Sequence, residues 1–113
     1  MINVKRVYEV PSAEDGYRIL IDRLWLPWLM KEKAKVDLWM KEIAPSNELR
    51  KWYHNNLDKW SEFKKEYKKE LGDNKAVFDE LKKVIKQNKV VTFVYSSKEE
   101  KHNNAEALKE FLD

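Results

Sequence analysis

The stretch Val90-Val91-Thr92-Phe93-Val94-Tyr95 limits the possible folds of this chain more than any other, because it is β-branched or aromatic throughout and does not alternate with charged residues. A strand with one face in water reads apolar, polar, apolar; a strand that stays apolar is covered on both faces. Parallel sheets flanked by helices cover their strands in this way. Arg18-Ile19-Leu20-Ile21-Asp22 shows the same short continuous run. These two segments predict inner strands, with Val90 to Tyr95 central.

The rest of the chain supplies the flanking pieces. Val4 to Val10 has the composition of a first strand, ended by Pro11 and followed by a turn from Ser12 to Gly16. Met30 to Lys35 suits a helical turn or two. Val36 to Ile43 fits a period of two through Val36, Leu38 and Met40 and fits a helix equally well through Val36, Trp39, Met40 and Ile43; it is read as a strand. Ser46 is a good N-cap for a short helix through Leu49, Trp52 and Tyr53. Leu57, Trp60, Phe63, Tyr67 and Leu71 recur at helical spacing, with Gly72 placed to end that helix in a left-handed conformation. Val77, Phe78, Leu81, Val84 and Ile85 form one stripe of a helix from about Asn74. Asn103 and Glu106 resemble a capping box for a last helix that packs Ala105, Leu108, Phe111 and Leu112 on the sheet. Trp39, Trp52 and Trp60 sit on apolar stripes and are expected in the core. The pattern predicts one α/β domain over residues 1–113, a small mainly parallel sheet of three to four strands flanked by helices.

Composition narrows the function. With 113 residues the chain can hold one core without a metal or disulfide. It has no cysteine, which excludes disulfides, thiolate catalysis and Cys-based zinc sites, and permits a cytoplasmic location. No segment approaches the roughly 20 apolar residues of a membrane span. The 23 basic and 20 acidic residues are interleaved, as in Glu62-Phe63-Lys64-Lys65-Glu66, which is the pattern of solvated helix faces and argues against nucleic acid. Two glycines exclude a glycine-rich phosphate loop. His54 and His102 are the only histidines, and neither has the neighbours of a recognisable metal-ligand set, so no metal or cofactor is expected.

In open parallel sheets ligands bind beyond the carboxyl ends of the strands. Here those ends carry Asp22 and Arg23 after one run, and Tyr95, Ser96, Ser97 and Lys98 after the other, with His102 just before the last helix. Asp22, Arg23, Tyr95, Lys98 and His102 are therefore the candidate site for a small anion or a nucleotide-type ligand, or for an enzyme acting on one. The bland alternative pairs Asp22 with Arg23 as a structural ion pair and leaves Lys98 in solvent. The balance leans away from catalysis.

A second surface competes with this one. Leu24-Trp25-Leu26-Pro27-Trp28-Leu29-Met30 is too short to span a membrane and is broken by Pro27, so it is buried at home, buried against a partner, or exposed as an apolar patch.

Several motifs taken together point to a family. Asp15-Gly16-Tyr17-Arg18-Ile19-Leu20-Ile21-Asp22-Arg23-Leu24-Trp25, Asp37-Leu38-Trp39, Ala44-Pro45-Ser46 with Leu49-Arg50, Lys59-Trp60, and Tyr95-Ser96-Ser97-Lys98 with His102-Asn103 resemble the YeaO-like family, over nearly the whole chain. The resemblance implies a small α/β domain of unknown function. Members of that family look like Asp-Arg-Leu-Trp-Pro-Arg-Gly followed by an apolar and a small polar residue, whereas this chain has Leu26, Pro27, Trp28, Leu29 and Met30 there. Exchanging an Arg and a Gly for large apolar groups in one place suggests a surface remade for binding, by divergence or by design. The leading expectation is a non-catalytic domain that contacts a protein partner, or a second copy of itself, through Leu26, Pro27, Trp28, Leu29 and Met30.

Overall fold

The computed structural model describes residues 1–25 and 31–112. Four strands, β1 (Ile2–Arg6), β2 (Tyr17–Leu20), β3 (Leu38–Trp39) and β4 (Val91–Tyr95), form one sheet in the order β1-β4-β2-β3, every pair parallel. The helices are α1 (Lys31–Ala34), α2 (Asn47–His54), α3 (Trp60–Asp73), α4 (Lys75–Gln87) and α5 (Asn104–Leu112), with single 3-10 turns at Ala13–Asp15 and Lys41–Ile43. This is the expected small parallel α/β sheet. All five residues of β4 are buried and the strand lies between β1 and β2, which explains its unbroken apolar run. No helix among the described residues is long and apolar enough to cross a membrane.

The two faces of the sheet are covered unequally. Ile19, Ile21, Val91, Phe93 and Tyr95 pack into the larger core with Leu49 and Tyr53 of α2, Phe63, Tyr67 and Leu71 of α3, Leu81 of α4 and Leu108 of α5. The alternate residues Leu20 and Val94 meet Val7, Ala34, Trp25 and Val36 in a smaller cluster. On that face Arg18, only 3% exposed, gives N–H bonds to the Ala34 carbonyl (2.8 and 3.1 Å), the Lys35 carbonyl (3.2 Å) and the Asp15 carboxylate (2.7 Å). Lys35 has a φ of 47°, unusual for a residue with a side chain, and Arg18's bonds help hold that turn. Burial alone would raise the pKa of Asp15, but the Ser12 N–H, Lys5 and Arg18 outweigh it and hold the carboxyl below its ordinary value.

Several local expectations are corrected. The strand expected over Val4 to Val10 lies at Ile2–Arg6, because the Glu9 N–H donates to the Arg6 carbonyl (3.1 Å) and the Glu9 carboxylate accepts from the Arg6 N–H (2.8 Å), turning the chain before Pro11. The strand over Val36 to Ile43 shrinks to Leu38–Trp39, since Lys41–Ile43 coils into a 3-10 turn. Gly72 is inside α3, not left-handed beyond it, and the helix runs on through Asp73. Gly16 is the glycine with a positive φ, 63°; a Cβ there would stand 2.3 Å from the Val90 carbonyl oxygen. Trp39 and Trp52 are exposed, not core, and Trp60 is half-buried. Ser46 does cap α2, accepting from the Leu49 N–H at 3.1 Å. Leu26, Pro27, Trp28, Leu29 and Met30, the expected partner-binding segment, lie outside the described residues.

Candidate functional site

Because all four strands are parallel, their carboxyl ends share one edge, and the exits of β2 and β4 lie side by side there. Asp22 fastens them together. Its Oδ2 accepts from the Ser96 N–H (2.8 Å) and the Ser96 hydroxyl (2.6 Å), and its Oδ1 accepts from the Asn104 side-chain amide (3.2 Å) at the start of α5. One carboxylate thus joins two strand exits and a helix end. The Asp22–Arg23 ion pair of the structural alternative does not form. Arg23 turns instead to the main chain ahead of α2, donating from Nε to the Pro45 carbonyl (3.3 Å) and from Nη2 to the Ala44 carbonyl (3.1 Å). Neighbours in sequence are splayed apart because each finds uncharged main-chain or amide partners that no sequence spacing indicates.

Beyond these residues is a cavity of about 360 Å³. Asp22, Arg23, Lys98 and His102 all line it. Tyr95 does not: it is buried in the sheet on the helix-covered face, and burial, then the charge of Glu100, raises its pKa. The opposite wall comes from α2 and the loop after it, Arg50, Tyr53, His54 and Leu57. Arg50, Tyr53 and His54 are spaced i, i+3, i+4, the one sequence sign that they share a helix face. That sign was not tied to the strand exits, so sequence reasoning missed this wall.

The lip of the cavity, residues 96–104, is held by its own hydrogen bonds. The Glu99 carboxylate accepts from the Lys101 and His102 N–H groups (both 3.2 Å), and these bonds hold its carboxyl below the usual value. The Tyr53 hydroxyl donates to the His102 carbonyl (2.8 Å); burial, with the nearby Glu99 charge, pushes its pKa up to about 12. His102 stacks on Trp60, ring centroids 4.8 Å apart and 13° from parallel. Asn103 accepts from the Glu106 N–H at 2.9 Å, closing the helix end behind the lip. Both carboxylates of the site are therefore occupied by hydrogen-bond donors. Arg50 and Lys98 are exposed, and their side chains have no ion-pair or hydrogen-bond partner among the described residues.

No cluster of three His, Asp or Glu able to hold a metal occurs among the described residues. A second hollow, about 540 Å³ between α2 and α3, is lined by Glu48, Glu62, Glu66 and Glu70 with Trp52 and Lys65, and Glu70 is already held by the Ser46 N–H and hydroxyl. Its acidic lining is opposite in sign to that of the first cavity.

A family model described as the inactive DUF488-N3 subclade matches residues 1–113. The chain belongs to that family. It is 38% identical over 111 residues to the uncharacterized protein YeaO of Escherichia coli, covering 98% of this chain and 96% of the relative. It is also 38% identical over 112 residues to the uncharacterized protein Rv3073c of Mycobacterium tuberculosis, covering 99% and 93%. The YeaO-like resemblance of the motifs is thereby established. No solved structure matches the chain.

Proposed function

We propose that this domain binds a small anion in the cavity at the carboxyl edge of its sheet and carries out no reaction there. Arg23 carries the reading. Its guanidinium is fixed by two main-chain carbonyls at the cavity wall, with three of its five N–H groups left over, and a fixed Arg with spare donors is a standing anion receptor. Arg50 and Lys98 add positive charge without internal partners, and the site lies where parallel sheets place their ligands. Asp22 accepts three hydrogen bonds and serves as a strut between elements, not as a free base. The family's description as inactive agrees with binding without turnover.

The test is a chemical-shift titration with acetate and with inorganic phosphate. At least one should shift the Arg23, Ser97 and Lys98 amides saturably, and Arg50→Ala and Lys98→Ala should each weaken that binding severalfold while leaving the melting temperature unchanged, since exposed side chains without partners contribute little to stability. If neither anion binds, the proposal fails.

One observation favours a second reading, contact with a protein partner or a second copy through Leu26, Pro27, Trp28, Leu29 and Met30. Leu24, at the entrance of that run, is 58% exposed, and Trp39, 38% exposed, stacks edge-on against Trp25 at 5.6 Å, so the apolar sequence begins beside apolar surface already facing water.

A further inference from the structure

Resting on the anion-pocket reading, we infer that the ligand is a monocarboxylate with an apolar body about the size of one ring. The geometry of Arg23 selects a carboxylate. Nε and the Nη2 hydrogen on the same side of the planar guanidinium point to Pro45 and Ala44, which uses up one edge of the group. The edge between the two terminal nitrogens remains, and its two parallel N–H bonds match the two oxygens of a carboxylate.

The charge of the lining selects a monoanion. The two histidines aside, three permanent cations, Arg23, Arg50 and Lys98, face two carboxylates, Asp22 and Glu99, a formal excess of one positive charge. One negative charge balances that lining. A phosphate monoester carries about −1.5 to −2 at pH 7 and would overfill it while standing near Asp22 and Glu99.

The rim of the cavity is apolar. Leu24 and Leu57 are 58% and 48% exposed, two of the few large apolar side chains of the described residues left in water, and both border this cavity in front of Tyr53 and Phe63. A ligand that is charged at one end and apolar at the other covers them. Small-molecule sites commonly measure about 300–1,000 Å³. The 360 Å³ available is at the lower end, a fit for a single ring rather than a nucleotide.

Calorimetry with benzoate, acetate, benzyl alcohol, inorganic phosphate and phenyl phosphate tests this on the full chain. Benzoate should bind about tenfold or more tightly than each of the others. Arg23→Lys, which keeps the charge and loses the fork, should cost benzoate about tenfold, and its melting curve checks that the domain still folds. Leu57→Ser, at an exposed position, should narrow the margin of benzoate over acetate. Tighter binding of either phosphate compound than of benzoate overturns the carboxylate assignment while the anion pocket stands. Equal binding of acetate and benzoate overturns the apolar body alone. Binding of benzyl alcohol as tight as that of benzoate, or binding of none of the five, overturns both this inference and the anion pocket.

Discussion

Replacing Asp22 with Ala should cost the domain about 3 kcal/mol. The residue accepts three hydrogen bonds, from the Ser96 N–H, the Ser96 hydroxyl and the Asn104 amide. A hydrogen bond to a charged group contributes about 1.5–3 kcal/mol when it is well buried, but Asp22 is half-buried and water can replace part of what is lost, so ~1 kcal/mol each is a better measure. Unfolding entropy is about 2.1 cal/mol/K per residue. Over 113 residues that makes roughly 0.24 kcal/mol/K, and 3 kcal/mol becomes a fall of about 12 °C in melting temperature. Differential scanning calorimetry reads this directly, and hydrogen exchange should show the Ser96 amide, protected in the parent, opening ahead of the β4 core. Asp22→Asn should cost about half as much, because its amide oxygen still serves Ser96 while its amide nitrogen faces a donor on Asn104. A fall of less than about 3 °C for Asp22→Ala, with Ser96 still protected, would show that the strand exits are held by packing and that Asp22 is not their fastening.

Other substitutions test separate parts of the reasoning. Asp15 is held below its ordinary pKa, so on acidification the unfolded chain takes up the proton first; the stability Asp15 contributes should be whole above about pH 4 and lost as pH falls through the folded value. Chemical denaturation at stepped pH should show that loss, and Asp15→Asn, already weakened at neutral pH, should flatten it; parallel profiles for parent and variant would place the acid sensitivity elsewhere. Gly16→Ala should destabilise by about 3 kcal/mol or more, since its Cβ would meet the Val90 carbonyl at 2.3 Å with φ positive, whereas Gly72→Ala, with nothing within 4 Å and a helical setting, should stabilise by about 1 kcal/mol; melting curves that rank the two the other way would refute the assigned conformations. If the apolar run makes a self-contact, light scattering should show an oligomer that Trp28→Ala weakens by about 2 kcal/mol, roughly thirtyfold. A parent chain that stays monomeric when concentrated would dismiss that contact.

The architecture was legible because burial on both faces writes itself into residue type. Val90 to Tyr95 announced an inner parallel strand, and Ser46 and Asn103 announced two helix starts through side chains that bond the first turn. Boundaries were less legible: the end of β1 depends on Glu9 closing a turn onto Arg6, a local hydrogen bond that a strand-like composition through Val10 conceals. The edge of the sheet that carries the cavity followed from topology alone, and with it Asp22, Arg23, Lys98 and His102. Tyr95 was misplaced by a single residue's worth of alternation, since the last strand residue points into the core and the next leaves the sheet. Arg50, His54 and Leu57 reach the cavity only because α2 crosses the strand exits, a tertiary fact with no local trace. Arg18 escaped notice for a related reason: a charged residue opening an apolar run reads as a strand end, while here it is buried under the carbonyls of Ala34 and Lys35.

The strand order also determines when this protein can fold. β1 and β2 do not pair with each other; each pairs with β4, Ile2 opposite Val91 on one side and Tyr17 opposite the same Val91 on the other. Until residues 91–95 have left the ribosome, β1 has no partner and β2 has only the two-residue register of β3. At about 5–20 residues per second, residues 21–90 take roughly 4–14 seconds to emerge, and through that time β2 waits for its central neighbour. Sheet closure then brings together strands about 70 residues or more apart in sequence, a late step of long loop closure. During that interval Ile19, Leu20 and Ile21, all buried in the folded domain, lack the strand they pair with.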